Sequence, residues 1–114
     1  MTQKEITISG KTYPVVFTIK TMMGFEDITG KPFFGETFKS IGDKTALVFA
    51  SIIAADDQAK ITLDELLNAD KMEVLTDIVA AFTTIDTLAQ EFFKTPAVEP
   101  EPENTETQGD TGKN

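Results

Sequence analysis

Apolar and polar residues alternate along residues 5–19. Ile6 and Ile8 share one face of a first strand, and Tyr13, Val15, Phe17 and Ile19 share one face of a second. A period of two marks a half-buried strand. Ser9-Gly10-Lys11 between them has turn chemistry, so the segment predicts a β-hairpin. Pro14 has no N–H to give to a ladder and belongs on an edge or on the solvent side of the pairing. An isolated hairpin is marginal in water, so helices must cover its apolar face.

The period then lengthens. Met22, Met23, Phe25 and Ile28 have helical spacing over residues 20–29, and Gly30, with Pro32 beyond it, stops that helix. Gly24 weakens it. Residues 31–42 hold Phe33, Phe34 and Phe38 among glycines and predict a packed loop or a single helical turn. Asp43 is the expected N-cap of a helix over residues 44–55. Leu47, Val48, Phe49, Ile52 and Ile53 make that helix apolar on more than one face. Such a helix belongs in the middle of a small domain, with Phe49, Ile52 and Ile53 at the centre of the core.

Thr62-Leu63-Asp64-Glu65 has the spacing of a capping box and opens a short helix to about residue 69. Asp70 is the expected cap of the last helix. There Met72, Leu75, Ile78, Val79, Phe82, Ile85, Leu88, Ala89 and Phe92 recur every three or four residues up to Phe93. Unbroken, this helix spans about 35 Å. Thr83, Thr84 and Thr87 are weak helix formers and mark the place for a bend. Beyond it, Pro96, Pro100 and Pro102 alternate with glutamates. Residues 95–114 cannot bury enough surface to offset their ordering entropy and are expected to form a disordered acidic tail. The expected architecture is α+β: a single domain over residues 1–94, with an N-terminal β-hairpin packed on a small bundle of about four helices.

Composition narrows the function. All ten basic residues are lysines, and the chain has no arginine, histidine, cysteine or tryptophan. Histidine is the usual general acid or base, cysteine a strong nucleophile and soft ligand, arginine the bidentate anion clamp. Without them no catalytic set can be assembled from the motifs, and no enzyme activity or cofactor is expected. The glycines are separated punctuation and form no phosphate-binding loop. The net charge is −9; nine lysines against fourteen acids leave −5 on residues 1–94. That sign repels nucleic acid and anionic membrane. The polar N-terminus has no leader pattern, and the longest apolar run is too short for a membrane span, so a cytoplasmic protein is expected.

One stretch has part of a metal motif. Ile61 and Glu65 fall where an EF-hand loop has its eighth and twelfth positions, with Asp56 and Gln58 at the third and fifth. The first position is then Ala54, which has no carboxylate, and the sixth is Ala59 where the turn needs glycine. A helix–loop–helix connection with a capping box is the simpler reading, and no metal is expected. The nine phenylalanines are read in two groups. Phe17, Phe49 and Phe82 are expected in the core. Met22, Met23, Phe33, Phe34, Phe92 and Phe93 are candidate partner-binding residues, because flexible methionines and aromatics suit a helical partner.

The order and spacing of the elements resemble a known family. The strand pair around Ile6-Thr7-Ile8-Ser9-Gly10-Lys11-Thr12-Tyr13-Pro14-Val15 leads to a helix ending Phe25-Glu26-Asp27-Ile28-Thr29-Gly30-Lys31. The apolar helix of residues 46–54 follows, then Ile61-Thr62-Leu63-Asp64-Glu65-Leu66-Leu67, a last helix and an acidic tail. Over residues 5–93 this is similar to the short tail assembly chaperones of long-tailed bacteriophages and prophages.

The resemblance implies a non-catalytic protein that binds the long helical tape measure protein and keeps it soluble during tail assembly. It implies action in the host cytoplasm and absence from the mature virion. Many such chaperones have a longer form, made by programmed frameshift, that would recruit tail tube protein. Gly112-Lys113-Asn114 can be encoded by GGA AAA AAC, which contains the slippery heptamer A AAA AAC and fits that device. A homo-oligomer is compatible with the family. Two alternatives remain: a structural phage protein, either head–tail connector or minor tail component, and an acidic inhibitor mimicking nucleic acid.

Overall fold

The computed structural model describes residues 3–35 and 38–94. The expected acidic tail, residues 95–114, lies outside the described residues. Two strands, β1 (Gln3–Ile8) and β2 (Lys11–Val16), precede four helices: α1 (Ile19–Thr29), α2 (Ile41–Ala55), α3 (Leu63–Leu67) and α4 (Met72–Lys94). The α+β reading, a hairpin packed on helices, is therefore the observed fold.

The strands pair antiparallel, with Ile6 opposite Tyr13 and Ile8 opposite Lys11. Ser9 and Gly10 form the two-residue turn with φ of 52° and 79°. Two consecutive positive φ angles match the right-handed twist of the flanking strands, and glycine adopts the second without penalty. The turn is tied to the far end of the chain: the Ser9 N–H donates to Asp77 Oδ2 of α4 at 3.0 Å.

β2 stops earlier than the alternation predicts. Val15 and Val16 are both fully buried, so the two-faced pattern ends there. Phe17 is buried beyond the ladder, whereas Ile19 is the first residue of α1 and is exposed. A buried threonine makes the switch. The Thr18 N–H donates to Thr21 Oγ1 at 3.1 Å, and that hydroxyl donates to the Val16 carbonyl at 3.0 Å. The end of the strand is thus bonded to the first turn of the helix.

α1 ends as expected at Gly30, whose N–H reaches the Glu26 carbonyl at 2.8 Å. Gly24 has a role that propensity does not show. A Cβ built there would lie 3.2 Å from Ala50 Cβ on α2, so the glycine lets the two helices approach closely.

The cap of α2 is Ser40, not Asp43. Ser40 Oγ accepts from the Asp43 N–H at 3.0 Å, which puts Asp43 inside the first turn. Its carboxylate is well placed there against the helix dipole and takes Lys31 Nζ at 3.0 and 3.2 Å. Both residue types can cap, and the upstream one is used. Ala46, Leu47, Val48, Ala50 and Ile52 of α2 are buried. Phe49 and Ile53, one turn apart, are only half-buried, so the centre of the core is Ile52 and Val48. Phe82 is half-buried as well, which leaves Phe17 as the only one of the three expected core phenylalanines that is buried.

The capping box of α3 is closed on both sides: Thr62 N–H to Glu65 Oε1 at 2.9 Å, Glu65 N–H to Thr62 Oγ1 at 3.1 Å. This helix ends at Leu67, two residues short of the expected end. α4 begins at Met72, past Asp70, and runs unbroken for 23 residues, about 35 Å. No break occurs at its threonines. The hydroxyls of Thr83, Thr84 and Thr87 donate to the carbonyls of Val79, Ala80 and Thr83, one turn back. Val74, Ile78, Ala81, Ile85 and Leu88 form its buried stripe.

Two stability outcomes follow from this packing. Ile52→Ala should cost about 2–5 kcal/mol, because a fully enclosed side chain leaves a cavity. Phe49→Ala should cost less, about 1–2 kcal/mol, since only part of the ring is removed from water. Urea denaturation that ranks them in the opposite order would show α2 to be rotated. Ser51 Oγ is fully enclosed in α2 without a hydrogen-bond partner. Ser51→Ala should therefore be neutral or stabilising by up to about 1 kcal/mol, and a clear loss in the same assay would contradict that account.

Candidate functional site: an aromatic docking surface

Eight of the nine phenylalanines meet at one end of the molecule, with Phe49 alone outside the network. Three elements bring them together. The turn after β2 supplies Phe17, α1 and the connection after it supply Phe25, Phe33, Phe34 and Phe38, and α4 supplies Phe82, Phe92 and Phe93. Phe33 lies at the middle. Its ring centroid is 5.7 Å from Phe17, 5.8 Å from Phe25, 5.6 Å from Phe34 and 5.3 Å from Phe38. Phe93 closes the outer layer at 5.7 Å from Phe17, 5.9 Å from Phe34 and 5.2 Å from Phe92. Several pairs meet edge to face, as the ring quadrupole favours.

This geometry divides the six candidate partner-binding residues. Phe33 is 7 % exposed and Met22 is 9 % exposed, so both belong to the core and are corrected accordingly. Phe34 at 71 %, Phe93 at 50 % and Phe92 at 40 % are exposed and adjoin one another. Met23 is exposed on α1 but lines none of the hollows described below. Met22 and Met23 are neighbours in sequence, yet about 100° apart around the helix, which is enough to separate core from solvent.

The connecting loop is held in two places. The Phe33 N–H donates to Glu26 Oε2 at 2.8 Å, and Lys31 is paired with Asp43. These bonds fix Phe33 inward and leave Phe34 outward. Phe38 has φ of 55°, in the left-handed region that a bulky side chain rarely enters. It is kept there between Phe25, Phe33 and Phe82, at 5.1, 5.3 and 6.0 Å. An open hollow of about 490 Å³ adjoins the rings. Phe33, Phe38, Ala89 and Phe93 line it, with Asp86, Gln90 and Lys94 along its edge. Asp86 Oδ2 accepts from Gln90 Nε2 at 2.9 Å.

A second apolar hollow, about 420 Å³, opens at the other end of α4. Leu66, Val74 and Ile78 form its buried part, and Ile41, Leu67 and Met72 stand exposed at its rim. The sequence reading missed it. The signal was there: Leu67 and Met72 are apolar residues either side of a polar turn, where a connection between helices has no core to fill.

Elsewhere the polar groups serve the fold. Asp56 Oδ1 accepts from the Gln58 N–H at 3.0 Å, and Glu65 closes its capping box, so two of the carboxylates of the EF-hand-like stretch act as local caps. Among the described residues no group of three or more carboxylates could hold a metal ion. Burial first, and the Glu65 carboxylate second, push the Tyr13 phenol above its ordinary pKa. At neutral pH it is a protonated phenol and not a base. Among the described residues no helix is long and apolar enough to cross a membrane. What this surface can do is bind apolar groups: rings backed by rings, with polar atoms at the edge only.

Glu26→Ala should release the loop that presents Phe34. The expected loss is about 1–2 kcal/mol in chemical denaturation, as for a part-buried hydrogen bond to a carboxylate. Glu26→Gln keeps an acceptor and should lose less. A Glu26→Ala protein as stable as the parent would show that the loop is held by its rings alone.

Compared with models of protein families, with curated proteins and with solved structures, the chain matches none.

Proposed function

We propose that this protein is a tail assembly chaperone of a long-tailed phage or prophage, which binds apolar helical segments of a tape measure protein and keeps them soluble. One observation supports this reading above the others: Phe34, Phe92 and Phe93 form an exposed aromatic surface on a buried floor of Phe17 and Phe33. Contiguous exposed apolar patches are uncommon on soluble proteins and mark partner sites. A groove of this kind receives an amphipathic helix through anchors one turn apart. The lysine-only basic set and the excess of acids argue against a nucleic-acid partner. A connector or minor tail component would be found in purified virions, whereas a chaperone would be absent from them.

Co-expression with the long helical gene product encoded next to this one tests the reading. The expected result is a soluble complex on a sizing column. An equally insoluble partner with and without this protein would remove the chaperone function. Phe92→Glu and Phe93→Glu together should abolish the complex while leaving the melting temperature within a few degrees, because both rings are already partly in water. A complex that survives both changes would put the binding surface elsewhere.

A further inference from the structure

α4 carries two apolar seams. Val74, Ile78, Ala81, Ile85, Leu88 and Phe92 follow one another at steps of four and three residues, and all but the last are buried. A second series has the same rhythm: Met72, Leu75, Val79, Phe82, then Ala89 and Phe93, with Asp86 occupying the step between Phe82 and Ala89. Alternating steps of three and four keep one line along a helix facing a partner helix. The first seam has its partner within the domain. The second is only partly covered: Met72, Val79 and Phe93 are exposed, and Leu75, Phe82 and Ala89 are half-buried, with Phe82 against Phe38 and Phe93 against Phe17 and Phe34. Both large hollows open on this seam, one beside Met72 and Leu75 and the other beside Ala89 and Phe93. From Met72 to Phe93 the line is about 32 Å long.

Resting on the reading that the aromatic surface receives a helix, we infer that this whole seam is a coiled-coil-type track. Its occupant is one amphipathic partner helix with apolar residues at steps of three and four and a basic residue set against Asp86. The aromatic end is then one terminus of a longer site. Asp86 sets the charge of the partner. It is the only charged residue in the seam, it is exposed, and its bond to Gln90 leaves the carboxylate charge uncancelled. A carboxylate in a coiled-coil seam is costly opposite an apolar residue and favourable opposite lysine or arginine, so it fixes register. Lys44 lies with Nζ 5.4 Å from the Phe82 ring, a movable cover over the centre of the track.

The test uses the full chain and two synthetic amphipathic peptides of 24 residues (about six turns), with leucines at the three–four spacing. They differ at one central seam position, lysine in one and glutamate in the other. Titration calorimetry should show the lysine peptide binding at least about tenfold more tightly, the size of one good charge contact. Asp86→Lys should reverse that preference. Val79→Glu, about 21 Å along the helix from Phe93, should weaken the lysine peptide at least about tenfold with an unchanged melting curve. Equal binding of the two peptides, or an Asp86→Lys protein with unaltered preference, would overturn the track.

The variants also separate this inference from the function proposed above. If Phe93→Glu abolishes binding while Val79→Glu and Asp86→Lys do not, the aromatic surface stands and the track fails. If the reverse holds, the track stands and the aromatic surface is not the anchor. If neither peptide binds and Val79→Glu instead converts an oligomer to a monomer on a sizing column, the seam belongs to a second copy and the inference is wrong.

Discussion

A two-stranded antiparallel sheet cannot hold together in water with Ile6, Ile8 and Val15 exposed, and this constraint organises the domain. The ladder itself supplies few hydrogen bonds, so stability must come from what is laid over the apolar face. α2 and α4 provide that cover, and the capping chemistry serves to deliver them. Thr21 bonds the end of β2 to the start of α1. Gly24 lets α1 lie close against α2. Asp77 then fastens the hairpin turn to α4 from the other side. With the cover on both sides, α2 is enclosed around most of its circumference, which is why it has little polar surface and a buried serine without a partner.

Much of this was legible in the sequence, because the elements carry local signals. The alternation before and after Ser9-Gly10, the box at Thr62 and Glu65, the stop at Gly30 and the long period of α4 each fix an element from neighbouring residues alone. Failures came where two local answers were equally good. Ser40 and Asp43 are both capping residues three apart, and only the backbone path into the helix selects one. Ile19 continues the strand pattern yet belongs to α1, because the Thr21 side chain, bonded back to Thr18 and Val16, ends the strand. The candidate site was legible as a composition and not as a surface. Phenylalanines at residues 33 and 34 carry no periodicity that tells the inward one from the outward one. The Glu26 carboxylate seven residues back makes that decision.

The exposed rings have a geometric cause. α2 has 15 residues and α4 has 23, so the longer helix cannot be covered along its whole length by the shorter. Its last turn extends past the helical cover, and the seam buried from Val74 to Leu88 comes into the open at Phe92. A chain designed only for solubility would place charges there. This one places two phenylalanines and sets a third, Phe34, opposite them. The same mismatch at the other end leaves Met72 beyond the start of the core, with Ile41 and Leu67 beside it. Both openings therefore follow first from helix length, and the Glu26 bond to Phe33 then decides which loop ring faces the aromatic one.

Phe38 has a kinetic consequence. Its left-handed backbone costs about 1–2 kcal/mol on its own, and only the surrounding rings of Phe25, Phe33 and Phe82 compensate. Phe25 and Phe33 lie near it in sequence, but Phe82 comes from α4, so the compensation is complete only once α4 has docked. A residue whose strain is offset by a remote helix is expected to be ordered late in folding and released early when the domain loosens. Contacts absent from the transition state govern how fast a protein unfolds and have little effect on how fast it folds. Loosening the rings around Phe38 is accordingly expected to shorten the lifetime of the folded state more than it slows the reaching of it.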